Sequence, residues 1–283
     1  MKEALQIDDV DVAVEGEGPH TVVMLHGWPD TPALWDSTVV ALREGYRCVR
    51  FCLPGYDLAK PPRAASVDAM TGLIRKIVDA VSPHQSVTLL VHDWGCFFGY
   101  EFAARHPDRV ARVVGVDIGD TSSGAYLRGL SGKEKRMIAG YQIWLAVAWK
   151  IGPWWPWLAN RMTRYMARTI GCRNEPSRIG WQMNYPYAMG WFGAHGGLRG
   201  VGRVDKLLGV GMPALFIYGR RKPFMFHSER WLDQLTRAPG CEVLALDTGH
   251  WVMRQKPAEF NACVRAWLDR AAGDGQNQRG ETR

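Results

Sequence analysis

The chain has 283 residues, and 47% of them are hydrophobic, which is enough for one large domain with a packed core or for a core with an inserted subdomain. The net charge of +7 is unevenly distributed: residues 121–205 contain 12 Lys and Arg against 3 Asp and Glu, and the rest contains 23 against 25. Because this basic segment lacks glycine-aromatic interleaving and basic-helix motifs, we expect no nucleic-acid partner and interpret the segment as a solvated outer face.

Apolar strands and amphipathic helices alternate in the first part of the chain. Strands are predicted at residues 10–15, 21–25, 47–53, 87–91 and 110–116, and helices at residues 33–44, 68–81 and 97–105. Short strands that are apolar throughout are typical of a parallel sheet with helices on both faces. The chain is therefore expected to have a doubly wound α/β fold.

The alternation stops near Gly119, and a segment rich in Trp, Met, Arg and Tyr follows with helical spacing. It resumes with predicted strands at residues 214–218 and 241–246 and predicted helices at residues 228–235 and 257–271. These boundaries predict a first core part (1–120), an inserted helical lid (121–205), a second core part (206–271) and a polar, Gly-rich tail (272–283) that is expected to be disordered.

The segment 141–159 is apolar enough to raise the question of a membrane span, but Lys150, Pro153 and Pro156 interrupt it. We interpret it as a lid helix over an apolar pocket. An interfacial membrane contact, or attraction of the basic segment to an anionic membrane surface or acidic substrates, is the less favoured alternative. Residues 1–6 show no signal-peptide pattern, so a cytoplasmic location is expected. The six scattered cysteines are expected to be reduced structural thiols rather than disulfides or zinc ligands.

The run His92-Asp93-Trp94-Gly95 carries the main chemical signal. It follows the predicted strand 87–91 and precedes the predicted helix 97–105, which is the context of a nucleophile elbow. In such a turn the central side chain, here Asp93, projects at the carboxyl end of the strand. A carboxylate that attacks saturated carbon forms an alkyl ester, whereas a serine attacks a carbonyl and forms an acyl ester. Asp93 is thus predicted to be the nucleophile of an alkyl-ester mechanism.

Two further motifs supply the groups that would release such an ester. The turn His26-Gly27-Trp28-Pro29 follows a strand, and the Trp28 amide can form an oxyanion hole with the amide of Trp94. His250 follows the last predicted strand and is the candidate base that activates water. Two other histidines are placed differently. His92 is expected to point into the sheet, and His227 is left open as a pocket residue.

Together these motifs resemble the α/β-hydrolase family, specifically its epoxide hydrolases. The matching pieces are His26-Gly27-Trp28-Pro29, His92-Asp93-Trp94-Gly95, Gly249-His250-Trp251 and Lys256-Pro257-x-Glu259. The similarity covers residues 10–118 and 212–268. It implies the α/β-hydrolase fold with a helical lid, an Asp nucleophile, an apolar epoxide and water as substrates, and no metal or organic cofactor. A homodimer is left open.

The sequence position of the acid that would orient His250 differs from the usual pattern of these enzymes. Lys222 stands in Tyr218-Gly219-Arg220-Arg221-Lys222, where the resemblance implies an Asp. Asp117 follows the predicted strand 110–116, and this placement resembles the relocated acid of haloalkane dehalogenases. We therefore predict Asp117 as the acid, with a helix or turn cap as its alternative role. The other candidates for the acid are Asp120 and Asp247.

The lid is expected to decide which electrophile Asp93 attacks. Epoxide opening produces an alkoxide that needs a proton, and tyrosine is the usual donor. The resemblance implies Tyr141, in Tyr141-Gln142, as the first donor, and Asn184-Tyr185-Pro186-Tyr187 offers two choices for the second, of which Tyr185 is preferred over Tyr187.

Two alternatives to epoxide opening remain. Haloalkane dehalogenation needs N–H donors for a halide, for which Trp94 with a lid tryptophan such as Trp144 or Trp191 would serve. A non-catalytic relative is the third hypothesis, because Pro54-Gly55-Tyr56-Asp57-Leu58-Ala59 departs from the Gly-Tyr-Gly-x-Ser pattern of related hydrolases. The retained Asp93 and His250 speak against a non-catalytic relative. Epoxide hydrolysis to a vicinal diol is ranked first.

Overall fold

Eight strands form one sheet in the computed structural model, which describes residues 2–198, 204, 207 and 211–280. The strands in chain order are β1 (Lys2–Ile7), β2 (Val10–Glu15), β3 (His20–Leu25), β4 (Tyr46–Phe51), β5 (Val87–His92), β6 (Val110–Val116), β7 (Ala214–Gly219) and β8 (Glu242–Leu246). Their spatial order is β1-β2-β4-β3-β5-β6-β7-β8. The pairs β1–β2 and β2–β4 are antiparallel, and the pairs from β4 to β8 are parallel.

The central strands are apolar because both faces of the sheet are covered. Every residue of β5 is buried, and β6 has one exposed residue out of seven. This confirms the predicted mostly parallel, doubly wound sheet. Strand β1 was not predicted, since its sequence KEALQI is polar and it lies at the edge of the sheet, where side chains contact water.

Ten α-helices are assigned within the described residues. They are α1 (Asp36–Leu42), α2 (Val67–Val81), α3 (Trp94–Arg105), α4 (Gly124–Gly129), α5 (Gly132–Ile151), α6 (Pro156–Thr169), α7 (Tyr185–Phe192), α8 (Glu229–Arg237), α9 (Val252–Gln255) and α10 (Pro257–Gly280). Short 3₁₀ helices cover Pro32–Trp35, Pro176–Arg178, Trp181–Asn184 and Ala194–Gly196. The predicted helix 33–44 is therefore a 3₁₀ turn followed by α1.

Helices α4 to α7 lie between β6 and β7, in the segment predicted as a lid. A capping box opens α5: the Ser131 hydroxyl accepts from the Glu134 amide, and the Glu134 carboxylate accepts from the Ser131 amide. The predicted end of the lid at residue 205 lies outside the described residues. Among the described residues, none of the helices combines the length and the apolarity that crossing a bilayer requires.

The last helix runs further than its composition indicates. Helix α10 ends at Gly280 rather than at the predicted residue 271, and residues 281–283 lie outside the described part. Phe260, Val264 and Trp267 bury the first turns of α10 against the core. Once these turns have formed, each further residue adds a helical hydrogen bond without a new nucleation cost.

Candidate active site

Asp93 lies in a sharp turn between β5 and α3, with φ 52° and ψ −124°. Residues other than glycine rarely adopt a positive φ, and backbone strain of this kind is concentrated at functional sites. The turn is crowded: a Cβ on Gly27 would lie 2.4 Å from Oδ1 of Asp93, and a Cβ on Gly95 would lie 2.4 Å from the Leu25 carbonyl oxygen. Asp93 therefore projects over the start of α3 in the conformation of a nucleophile elbow.

Two backbone amides converge on the Asp93 carboxylate. The Trp28 N–H donates to Oδ1 at 2.5 Å, and the Trp94 N–H also hydrogen bonds to the carboxylate. Burial favours the protonated acid, but hydrogen bonding and charge from His250, together with the Trp94 amide, hold the pKa of Asp93 below its usual value. The carboxylate is thus ionised, and the two N–H groups beside it can hold a negative oxygen.

His250 lies in the loop between β8 and α9 and connects Asp93 with Asp117. Its Nε2 is 3.5 Å from Oδ2 of Asp93, and its Nδ1 is 2.6 Å from Oδ2 of Asp117. Burial disfavours the imidazolium, but the two carboxylates outweigh burial and raise the pKa of His250 to about 9. The structure therefore brings Asp93, His250 and Asp117 into one hydrogen-bonded line.

Asp117 lies directly after β6 with φ 70° and is fully buried. While Oδ2 accepts from His250, Oδ1 accepts from the Gly219 amide at 3.0 Å and from the Lys222 ammonium. Burial would raise the pKa of Asp117, but the charge of Lys222 and the hydrogen bond from His250 outweigh burial and hold it well below its usual value. Lys222 and His250 thus bind different oxygens of Asp117.

The two alternative acids lie elsewhere. Asp120 accepts hydrogen bonds from the amide and hydroxyl of Ser228 at 2.7 Å each, and from the hydroxyl of Ser123 at 2.5 Å. Asp247 is exposed and lies 3.3 Å from Nε of Arg221. Asp120 therefore stabilises the start of α8, and Asp247 forms a surface ion pair. Of the three candidates, Asp117 is the one within hydrogen-bond distance of His250.

Two histidines beside the line are buried and neutral. Nε2 of His92 donates to the His250 carbonyl oxygen at 3.1 Å, and burial lowers the pKa of His92 to about 3. Nε2 of His26 accepts from the Leu53 amide at 3.1 Å, and burial lowers its pKa to about 4. His92 therefore holds the backbone of His250, and His26 connects the Trp28 turn with the loop that follows β4.

A cavity of about 250 Å³ opens beside Asp93. Its wall includes Tyr141 from α5 and Tyr187 from α7, whose rings lie 6.1 Å apart. Burial, and in addition the negative charge of Asp93, raise the pKa of both phenols above their usual value. Both hydroxyls therefore remain protonated. The rest of the wall is mainly apolar and includes Phe97, Ile118, Leu130, Ile138, Pro186, Trp191 and Phe226.

Tyr185, preferred over Tyr187 in the sequence analysis, does not line this cavity. Its ring packs 6.2 Å from the ring of Tyr56, and its hydroxyl has no hydrogen-bond partner within the described residues. Residues two apart on a helix face roughly opposite directions. Because Tyr185 and Tyr187 both belong to α7, one of them faces the core and the other faces Asp93. Helical spacing shows that the two rings face different sides, but not which of them faces Asp93.

The indole N–H groups of the two lid tryptophans considered as halide donors, and that of Trp28, are bound to other partners. The Trp28 indole donates to Oδ1 of Asn184 at 2.7 Å. The Trp144 indole donates to the Met162 carbonyl oxygen at 3.0 Å, and the Trp191 indole donates to Oε1 of Gln142 at 3.1 Å. These three indole N–H groups are therefore already hydrogen-bonded to oxygen acceptors of the protein.

His227, which the sequence left open as a pocket residue, is not part of the cavity wall beside Asp93. Its ring is 4.4 Å from that of Tyr218, and burial, with the charge of Lys222, lowers its pKa to about 4. Neither ring nitrogen has a hydrogen-bond partner among the residues that the structure describes. Across the same residues, no group of three or more His, Cys, Asp or Glu side chains is arranged to hold a metal ion.

Comparisons with known proteins agree with this architecture. The family described as alpha/beta hydrolase fold matches residues 20–257. The solved structure of an epoxide hydrolase from Bacillus megaterium has a TM-score of 0.68 and 19% identity, and the match covers 94% of this chain and 100% of that chain.

Two curated relatives add sequence similarity. A cis-3-alkyl-4-alkyloxetan-2-one decarboxylase from Xanthomonas campestris pv. campestris is 26% identical over 90% of this chain and 91% of its own length. Epoxide hydrolase B from Mycobacterium tuberculosis is 32% identical over 38% of this chain. The matches to two mycobacterial relatives span 20% and 31% of the length of those proteins. Because the family match spans most of the chain and the fold agrees, the chain belongs to the α/β-hydrolase fold family.

Proposed function

We propose that the protein hydrolyses apolar epoxides to vicinal diols through a covalent ester on Asp93. The observation that carries this proposal is the position of two protonated phenols, Tyr141 and Tyr187, in the wall of the cavity that Asp93 also lines. A carboxylate nucleophile facing two O–H donors suits an electrophile whose oxygen must gain a proton as its C–O bond breaks. The similarity to epoxide hydrolase B supports the same reaction class.

In the first step, an oxygen of Asp93 forms a bond to the less hindered epoxide carbon. The C–O bond to that carbon breaks, and its electron pair goes to the ring oxygen. One of the two tyrosines gives this oxygen its proton, and the other donates a hydrogen bond. The result is a hydroxyalkyl ester of Asp93 and a tyrosinate.

In the second step, His250 removes a proton from water, and the resulting hydroxide attacks the carbonyl carbon of the ester. Asp93 no longer carries a charge once it is esterified, so one of the two carboxylates that raise the pKa of His250 is lost and the ring becomes available as a neutral base. The amides of Trp28 and Trp94 hold the oxyanion, each contributing roughly 3 kcal/mol in comparable sites. The oxyanion then collapses and breaks the bond between the carbonyl carbon and the alkyl oxygen. The departing alkoxide takes the proton of the added hydroxyl, which gives the diol and restores the Asp93 carboxylate, and the proton on His250 returns to the tyrosinate.

Asp117 orients His250 in this scheme, and Lys222 holds Asp117 ionised. The positive charge of Lys222 also offsets part of the negative charge of Asp117, which stabilises the imidazolium of His250. Its proposed role is to keep the pKa of His250 low enough for a base, although it does not contact the cavity.

A four-membered cyclic lactone is the second candidate substrate. The relative whose match spans 90% of this chain is named for the decarboxylation of a cis-3-alkyl-4-alkyloxetan-2-one, which is a strained ring that a carboxylate can also attack. Haloalkane dehalogenation ranks lower, because the indoles of both lid tryptophans considered as the second halide donor, Trp144 and Trp191, are bound to other partners.

Product analysis separates these reactions. The purified protein is incubated with styrene oxide, with an alkyl bromide and with a cis-3,4-dialkyl oxetan-2-one, and the products are identified by mass spectrometry. Asp93→Asn is the matched control, since it keeps the shape of the side chain but not its charge. Asp93-dependent diol supports the proposal. Asp93-dependent bromide release or lactone decarboxylation without diol would replace it, and no Asp93-dependent product from any substrate would favour a non-catalytic relative.

A further inference from the structure

The junction between α5 and α6 carries large aromatic side chains that face solvent. Trp154 is 79% exposed, Trp157 67%, Tyr165 60% and Trp155 57%. None of them lines the cavity beside Asp93. The interpretation of this segment as the roof of an apolar pocket therefore does not account for these side chains. Scattered exposed apolar residues are normal, but an exposed cluster marks an interaction site.

Helix α6 presents one face to solvent and another to the core. Its solvent face carries Trp157, Arg161, Tyr165 and Arg168, which are spaced by four, four and three residues and so lie on one side of a helix. The core face carries Ala159, Thr163 and Ala167, which are buried. We define the Trp154 face as the following residues: Trp154, Trp155, Trp157, Arg161, Tyr165 and Arg168.

The charges around the Trp154 face have one sign. Between Glu134 and Glu175 the chain contains seven Lys and Arg residues and neither Asp nor Glu. Within the described residues, no ion pair is assigned to Arg161 or Arg168. The face therefore combines exposed aromatic rings with positive charge that nearby carboxylates do not neutralise.

We propose that the Trp154 face binds the surface of an anionic lipid bilayer. Trp and Tyr place an apolar ring and a polar group at the level of the lipid headgroups, and Arg is attracted to anionic headgroups beside them. A second copy of the chain fits less well, because a symmetric contact would bring Arg161 and Arg168 close to their own equivalents. The contact is interfacial and needs no spanning helix. It is independent of the reaction proposed for Asp93.

Vesicle sedimentation tests the proposal with the full chain. Binding is measured to vesicles of phosphatidylcholine mixed with phosphatidylglycerol and to vesicles of phosphatidylcholine alone, at low and high salt. We expect binding to the anionic vesicles, loss of that binding at high salt, and a blue shift of tryptophan fluorescence on binding.

Matched arginine pairs give the sharpest comparison. Arg161→Gln with Arg168→Gln removes two charges from α6, and Arg230→Gln with Arg237→Gln removes two exposed charges with the same seven-residue spacing from α8. The first pair is expected to weaken vesicle affinity by about 25-fold, at about fivefold for each charge, and the second pair to change it little. Trp154→Ala with Trp157→Ala should also weaken binding and abolish the blue shift. The thermal unfolding midpoint of each variant verifies that it is folded.

Three results would overturn the proposal. The first is no binding to anionic vesicles by the unchanged chain. The second is equal weakening by the two arginine pairs, because it would mean that only the net charge matters. The third is a concentration-dependent dimer, measured by sedimentation velocity, that Trp154→Ala with Trp157→Ala dissociates in the absence of vesicle binding. That result would show that a second copy covers the face.

Discussion

Lys222 and His250 bind opposite oxygens of the same carboxylate. The ammonium of Lys222 lies on Oδ1 of Asp117, and Nδ1 of His250 lies 2.6 Å from Oδ2. The side chain of Lys222 is 5% exposed, and its ammonium also lies 5.3 Å from the centre of the Phe226 ring. Lys222, which stands in the loop after β7 where an acid was expected, therefore forms an ion pair with Asp117, the acid predicted after β6.

Replacing Lys222 should shift the pH dependence of ester hydrolysis. In Lys222→Met the positive charge beside Asp117 is lost, so the imidazolium of His250 becomes more stable and its pKa rises. In the pH–rate profile of ester hydrolysis, the limb that requires neutral His250 should move to higher pH by about one to two units. Single-turnover rates of ester hydrolysis across pH measure this shift. Lys222→Arg keeps the charge and should leave the limb in place, whereas an unmoved limb in Lys222→Met would contradict the proposed role.

Asp117→Asn should reduce turnover by roughly four orders of magnitude. The amide cannot stabilise the imidazolium of His250 and favours the wrong tautomer, as in other triads that lose their acid. Asp247→Asn is the matched control, because Asp247 is exposed and pairs with Arg221. Steady-state rates of both variants measure the difference. Equal activities of the two variants, or a larger loss in Asp247→Asn, would exclude Asp117 as the acid.

Replacement of Tyr187 should lower activity, whereas replacement of Tyr185 should lower neither activity nor stability. Tyr187→Phe removes a phenol of the cavity wall and is expected to lower kcat/KM for an epoxide by about a hundredfold or more. Tyr185→Phe removes a buried hydroxyl without a hydrogen-bond partner in the described part of the chain, so activity should be kept and the free energy of unfolding should not decrease. Enzyme kinetics and urea unfolding of both variants test this. A loss of activity restricted to Tyr185→Phe would reverse the assignment.

Buried neutral histidines should make the fold sensitive to acid. The pKa values of His26, His92 and His227 are lowered to about 4, about 3 and about 4 from 6.5. As the pH falls below 6.5, these histidines gain protons in the unfolded chain but not in the folded one. Their contribution to stability is therefore fully present above pH 6.5 and is lost as the pH falls toward 4. With three protons, the slope approaches about 4 kcal/mol per pH unit within this range.

Urea unfolding at a series of pH values measures this slope. His227→Phe should reduce it by about 1.4 kcal/mol per pH unit, the value for one proton, because this ring lies among aromatic neighbours. His84→Asn is the control, since His84 is exposed, and it should leave the slope unchanged. An identical slope in the unchanged chain and in His227→Phe would show that His227 is not buried as a neutral ring.

The fold was largely predictable because its central strands are buried on both faces and so appear as continuous apolar runs. Strand β1 was missed, since an edge strand shows no such run. The limits of the helices differed from prediction most at α10, because composition does not show where an already packed helix stops. Local pattern thus predicted which elements form, and contacts with the rest of the molecule decided where they end.

The placement of the site residues was predictable where each residue belongs to a motif that directly follows a strand. Asp93, Trp28 and His250 each follow a strand, and the carboxyl ends of neighbouring parallel strands meet at one edge of the sheet. The partners of Lys222 were not predictable, because they depend on side-chain contacts between β6 and β7. The choice between Tyr185 and Tyr187 depended on how α7 is rotated against the core, which sequence order alone does not determine.

The most direct test of the central claim is to trap the ester on Asp93. His250→Gln keeps the nucleophile but removes the base that activates water, so incubation with styrene oxide should give a protein whose intact mass increases by one molecule of epoxide. Peptide mapping should locate the adduct on Asp93, and Asp93→Asn combined with His250→Gln should stay unmodified. Diol formation without any adduct on Asp93, or an adduct located on another residue, would contradict the account.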